Sequence, residues 1–253
     1  MRRRILWLIA CVGPVALASA AVALAGGSPS VDEIVQKNAV ARGGLEAWRK
    51  VETMVSIGHL GAADGSGSTV PFMMEARRPN RSHFEIRAAN REIAMRVYDG
   101  SAGWNLHGST AADADLRPYS PDELKFARDN FVIDGPLLDH AFKGIAVVNE
   151  GMEVVDQRQA YRLKLTLPSG AEEHLWIDAK TFLELRFDRS TRTALGQPGS
   201  VTIFYRDYQT INGLRIPVVV DRSNISSRYV FASIHRCSSA PEGSVSFRRY
   251  AWR

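Results

Sequence analysis

Tyr161-Arg162-Leu163-Lys164-Leu165-Thr166-Leu167 is the stretch on which the fold turns. Apolar and polar residues alternate through it with a period of two. Tyr161, Leu163, Leu165 and Leu167 therefore share one face, and Arg162, Lys164 and Thr166 share the other. A strand dry on one side and wet on the other is the mark of an antiparallel sheet. The pattern recurs along the chain. Phe84 and Ile86 alternate with His83, Glu85 and Arg87. Ile93, Met95 and Val97 alternate with Ala94 and Arg96. Leu183, Leu185 and Phe187 alternate with Glu184, Arg186 and Asp188. The breaks are turn-like: a Gly/Ser/Asp loop from Gly61 to Ser68, Pro168-Ser169-Gly170, and the hairpin signal Asn212-Gly213. About ten to twelve strands follow, close enough in sequence for a meander. The absence of a βαβ rhythm excludes a parallel sheet.

Two segments depart from this period. Ser30 caps a helix and Glu33 completes a capping box, with Val31, Ile34 and Val35 at helical spacing. Gly43-Gly44 interrupts the run, and Leu45, Trp48 and Val51 resume it. Further on, Ser120-Pro121-Asp122-Glu123 places an N-cap, a first-turn proline and an acidic third position in order. Leu124 and Ala127 give that helix its apolar side. An apolar stretch follows, with Phe131, Val132, Ile133, Pro136, Leu137, Leu138 and Phe142. One apolar sheet face needs cover, and these segments are available to provide it. The expected fold is mainly β (α+β): an unclosed antiparallel β-barrel or strongly curved sheet, with helices covering the apolar concave face.

The N-terminus reads as a secretory signal peptide over residues 1–25. Arg2, Arg3 and Arg4 precede an apolar run from Ile5 to Ala18, and Ala23-Leu24-Ala25 forms an A-x-A exit. The run is short of the ~20 residues that span a bilayer. The net charge of +5 includes those three arginines, so the remainder is nearly neutral and has no electrostatic footprint for nucleic acid. Of the two cysteines, Cys11 lies in the signal and Cys237 stands alone, so no internal disulfide forms. Leu8-Ile9-Ala10-Cys11 is a poor lipobox, because little apolar chain precedes it. The expected location is the periplasm. The expected organisation is one domain over residues 26–236 and an atypical tail over 237–253, read as disordered or as an altered end of the domain.

No catalytic signature is present: no H-E-x-x-H, G-x-S-x-G, P-loop or G-x-G-x-x-G. The six histidines lie far apart, so no metal site and no cofactor are expected. Asp139-His140 is the best candidate for catalysis. Neighbours on an extended chain point opposite ways, so the pair would need a third group. Trp176 falls on the polar side of its strand and marks a surface contact or an edge. Met54, Met73, Met74 and Met95 suit an adaptable apolar surface.

Several segments, in their order and spacing, carry a resemblance. They are Ala41-Arg42-Gly43-Gly44-Leu45-Glu46-Ala47-Trp48, Arg77-Arg78-Pro79-Asn80-Arg81, Tyr98 to Trp104, Asp134-Gly135-Pro136-Leu137-Leu138-Asp139, Lys143-Gly144, Leu175-Trp176-Ile177-Asp178 with Leu183-Glu184, and Tyr208 to Pro217. Through them the chain up to Arg236 resembles the outer-membrane lipoprotein-sorting proteins of the LolA/LolB-like superfamily. The resemblance implies an open barrel with a helical lid that carries lipoprotein acyl chains or another lipid, without a catalytic residue or cofactor. It implies a cavity lined by Ile57, Met74, Phe84, Ile86, Met95, Val97, Trp104, Leu163, Leu165, Leu175, Leu185 and Phe187. The implied lid comprises Ile34, Val35, Leu45, Leu137 and Leu138. The implied role is that of a monomeric periplasmic carrier with membrane-bound donor and acceptor proteins. An envelope sensor or interaction module of the same shape, and an exported hydrolase using Asp139-His140, are the alternatives.

Overall fold

The computed structural model describes residues 29–88, 91–107, 115–192, 198–223 and 227–237. The signal-peptide reading, all but the first residue of the tail, and Ile93's side chain lie outside what it describes. Helix α1 spans Val31–Ala41 and α2 spans Leu45–Arg49. A first meander follows: β1 Thr53–Ala62, β2 Val70–Arg77, β3 Arg81–Ala88, β4 Arg91–Tyr98, β5 Gly103–His107 and β6 Asp115–Pro118. Helix α3, Pro121–Arg128, leads into a second: β7 Ala146–Val155, β8 Arg158–Thr166, β9 Glu172–Asp178, β10 Glu184–Arg192, β11 Pro198–Ile211 and β12 Leu214–Arg222. Strand β13, Ser227–Cys237, is the last.

These strands form one antiparallel sheet in the order β6-β5-β4-β3-β2-β1-β13-β12-β11-β10-β9-β8-β7. Strand β13 pairs with β1 on one side and β12 on the other, so it joins the meanders. The sheet is not closed, since β6 and β7 are its two edges. The strand count exceeds expectation because β6 is short and fully exposed, with no apolar face to reveal it. Bulges interrupt β1 at Ile57/Gly58, β7 between Asn149 and Met152, and β10 between Glu184 and Arg186. Each adds bend and twist to its strand. Gly58 sits at the first of them because a Cβ there would lie 2.1 Å from the Val230 carbonyl oxygen.

This topology explains the central helical segment. The chain leaves the sheet at edge strand β6 and re-enters at the opposite edge, β7. The connection, residues 119–145, crosses the concave face between them. It provides α3 and then the apolar stretch around Leu137.

The concave face is packed in two adjoining clusters. In one, Ile34 of α1 and Leu137 of the crossing segment meet Leu163, Leu165, Ile177 and Phe187 of the sheet. In the other, Trp48, Val51, Ile133 and Leu138 meet Met54, Leu214 and Ile216. The α1–α2 junction is docked by main chain. Gly43 adopts φ 104°, and a Cβ there would come within 2.2 Å of the Gly213 carbonyl oxygen. Arg215 N–H donates to the Arg42 carbonyl at 3.0 Å. Asn212 and Gly213 both take positive φ, 50° and 82°, as the expected tight hairpin requires. No described helix is long and apolar enough to cross a membrane.

Trp176 is a correction. It is 3% exposed, with Val155, Ala160, Leu185 and Phe204 around it on the convex face. Arg186 lies 4.3 Å from its ring centroid, and the indole N–H donates to Glu153 at 2.9 Å. The polar side of these strands is apolar enough to build a second, smaller core.

Candidate ligand-binding cavity

Beside the packed clusters, the same concave face leaves a partly open cavity of about 650 Å³. Its floor comes from both meanders and β13. Met54 and Ser56 of β1, Phe72 and Met74 of β2, and Phe84 of β3 stand on one side. Leu175, Phe187, Ile203 and Tyr205 stand on the other, with Phe231 and Ile234 of β13 between. The roof is α3, through Asp122, Lys125 and Phe126, with its C-cap Asp129 and the chain from Asn130 to Pro136. Phe72 is the aromatic centre of the floor. Its ring lies 5.2 Å from Tyr229 and 5.4 Å from Phe231, edge-on to both.

Four of the sequence-predicted residues, Met74, Phe84, Leu175 and Phe187, stand in the cavity wall. The rest do not, for different reasons. Leu163 and Leu165 are on the concave face but fully buried under Ile34 and Leu137, in solid core. Met95, Val97, Trp104 and Ile57 face the opposite way. The β3–β4 register sets Phe84 against Arg96, so Arg96 enters the cavity and Met95 and Val97 lie beside Glu85 and His83 on the convex face. Trp104 pairs with Val97 and shares that face. Ile57 pairs with Met73 and is 43% exposed. Leu185 is turned out by the β10 bulge, which reverses the alternation between Glu184 and Arg186. Ile86, opposite Phe72, shares the floor's face but lies outside the cavity wall.

The five predicted lid residues also lie outside the cavity wall. Ile34, Val35 and Leu137 pack in the first cluster; Leu45 and Leu138 pack in the second. They fill part of the concavity. A buried polar knot fixes this plug. Asp134 accepts from Arg78 at 2.8 Å and from Lys143 at 2.7 Å. Arg42 donates to the Asp134 carbonyl at 2.8 Å and pairs with Glu184 at 3.2 Å. The Tyr208 hydroxyl lies 3.0 Å from the Glu184 carboxylate. Burial pushes the Lys143 ammonium below its ordinary pKa, against the pull of Asp134. These residues come from the segments that carry the family resemblance. Most of those segments thus contribute to the clamp on the crossing chain, while the cavity wall is drawn mostly from elsewhere.

Asp139 and His140 do not act on a common point. Asp139 takes both donors of Arg49, at 2.9 and 2.6 Å, and that guanidinium holds its carboxyl below the usual range. The His140 Nδ1 lies 2.9 Å from the Ile145 carbonyl oxygen. Among the described residues no group of three or more His, Cys, Asp or Glu could hold a metal ion.

The cavity also contains charge that the pattern reading missed. Arg189, Arg222, Arg96 and Glu173 all line it. Burial pushes the Glu173 carboxyl up to about 7, with Arg189 pulling the other way. The available signal was parity. Arg189 is two residues from Phe187, Arg222 two from Val220, and Glu173 two from Leu175, so each occupies the apolar register of its strand.

An open antiparallel sheet curved round a largely apolar cavity, with helical segments over its concave face, defines the class of half-barrel folds. The particular fold is that of the LolA superfamily. A LolA superfamily protein from Nitrosomonas europaea superposes with a TM-score of 0.51 at 16% identity, over 85% of this chain and 96% of its own. A DUF1329 family protein from Desulfovibrio piger gives a TM-score of 0.53 at 14% identity, over 88% and 99%. No family model and no curated protein matches the sequence.

Proposed function

We propose that this protein binds the acyl chain of a lipid or lipoprotein in the cavity under α3 and carries it through the periplasm. The carrying observation is the unfilled concave pocket of about 650 Å³, walled by Phe72, Met74, Phe84, Leu175, Phe231 and Ile234. That volume falls inside the roughly 300–1,000 Å³ of ligand sites. Each methylene moved from water into such walls gains ~0.8 kcal/mol, enough to hold a chain that is otherwise insoluble. The basic, apolar N-terminal segment supports export.

Delivery needs a part that opens. The plug around Leu137 is held by buried apolar packing and by the Asp134 knot. Helix α3 has no buried residue. Its neighbourhood is held by polar contacts: Asn105 to Glu123 at 2.9 Å and Asn80 to the Arg128 carbonyl at 2.8 Å. We assign α3 as the gate. An acceptor releases the ligand only by favouring the open state, and a roof held this lightly needs little differential affinity.

Purified mature protein should show saturable fluorescence enhancement with cis-parinaric acid and carry lipid detectable by mass spectrometry. Filling the floor with Phe84→Trp and Ile203→Trp together should weaken uptake at least about tenfold. Protein that is consistently empty and takes up no fatty acid overturns the reading.

A further inference from the structure

The geometry points to an anionic amphiphile as the ligand, its acyl chain on the aromatic floor and its carboxylate or phosphate held between Arg189 and Arg222. The inference rests on the acyl-binding cavity proposed above and specifies the head of the molecule.

Both arginines line the cavity. Arg189 stands on β10 opposite Val201, and Arg222 stands on β12 opposite Ile203. Strand β11 alone separates them, and Val201 and Ile203 lie two residues apart on it. The two side chains thus share one face of three adjacent strands. Neither is neutralised in the usual way. Arg189 Nη1 donates to the Asn130 amide oxygen at 3.0 Å, and Arg222 Nη1 to the Tyr229 hydroxyl at 3.1 Å. Neither acceptor is a carboxylate. The Nε of each is buried without a hydrogen-bond partner. Arg189 also lies 5.3 Å from the Phe126 ring of α3, and Arg222 5.8 Å from Tyr229.

Both arginines are half-buried, and withdrawing a guanidinium from water is costly unless it is paired. Here burial lowers the Arg189 pKa, and the charge of Arg222 adds to that lowering. Glu173 is the carboxyl in register with them, two residues beyond the Leu175–Phe187 pair. Titrating near neutrality, it offsets only part of two positive charges. Tyr205, whose phenol burial pushes up, adds no charge at neutral pH. An anion between the arginines would supply the missing acceptors. A planar or tetrahedral oxyanion suits guanidinium forks, which bind it through paired, charge-assisted hydrogen bonds. The chain attached to it would run over Phe187 and Ile203 towards Phe72. Arg189 further ties the head site to the gate through Asn130 and Phe126, so ligand charge and closure of α3 meet at one residue.

The test compares cis-parinaric acid with its methyl ester, which keeps the chain and removes the charge. Wild-type protein should bind the acid about tenfold or more tightly than the ester. Arg189→Gln with Arg222→Gln should abolish the preference, so that acid and ester bind with equal affinity and both still bind. The ester thus checks that the variant is folded, and Arg189→Lys with Arg222→Lys should restore part of the preference. Equal affinity for acid and ester in the wild type, or a preference that survives the glutamine pair, overturns the head-group assignment and leaves the acyl cavity standing. Failure of both probes to bind overturns both. Inorganic phosphate alone displacing the acid at equal concentration makes the arginines a free-anion site and also overturns the inference.

Discussion

Helices α1 and α3 lie over the same concave sheet, are both well capped, and do opposite things. Ser30 accepts from Glu33 N–H at 3.2 Å to start α1, and Ser120 with Glu123 forms a full capping box to start α3. Capping therefore makes both helices and assigns neither a role. The difference is in what each buries. Helix α1 sends Ile34, Asn38 and Ala39 into the sheet, and Asn38 donates to the Phe182 carbonyl at 2.8 Å. Helix α3 has no fully buried residue; Leu124, Phe126 and Ala127 are half-buried, and the helix spans a space. A helix that fills a concavity makes core, and a helix that bridges one makes a pocket. The sheet below offers apolar side chains in both places.

The comparison can be broken most forcefully at the knot that fixes the plug. Asp134→Ala should cost about 3–5 kcal/mol, because it strands the buried Lys143 and the half-buried Arg78 without their anion. Chemical denaturation measures this, and a cost below 1 kcal/mol would mean that the plug holds by apolar packing alone.

A pair of truncations tests the two regions of the face directly. Leu163→Ala, in solid core, should cost about 2–5 kcal/mol. Phe84→Ala, on the cavity floor, should cost only about 1 kcal/mol while weakening fatty-acid uptake. Similar costs at the two sites would mean that the cavity is closed in solution.

Charge in the cavity gives a pH signature. The folded-state pKa of Glu173, about 7, exceeds the ordinary 4.5, so the native state holds the proton more tightly than the unfolded chain. Its contribution to stability is complete below pH 4.5 and is lost as pH rises through 7, by ~3 kcal/mol at most. Glu173→Gln should abolish that loss and be more stable than the wild type at pH 8. Parallel stability profiles for the two proteins would show that Glu173 is solvated. The smallest effect should appear in hydrogen exchange. Amides of α3 should exchange faster than those of α1, since only α1 is anchored by buried side chains. Equal protection would remove α3 from its role as gate.

The strands, the two capped helices and the Asn212-Gly213 hairpin were legible from local pattern. So was one side of most strands as apolar. Four of the twelve expected lining residues stand in the wall, and most of the eight misplacements have definite causes. Met95 and Val97 have the right alternation and the wrong face, because Phe84 is set against Arg96 across β3 and β4. Leu185 has the right alternation until the β10 bulge reverses it. Leu163 has the right face and no empty space beside it, because Ile34 and Leu137 are there. Arg189 and Glu173 were overlooked because a charge in an apolar register reads as an exception until the neighbouring strands place it in the cavity.

By itself the sequence determined the period of two, the helix starts, the tight turn and hence an antiparallel sheet needing cover. Those are local properties, written in residues within a few positions of one another. Only the tertiary structure decided which face of each strand looks inward and which part of the inward face stays empty. Face depends on register and bulges between strands, and emptiness depends on whether a distant segment reaches far enough to fill the space. Both are set by contacts between residues far apart in the chain, where the alternation within one strand carries no information.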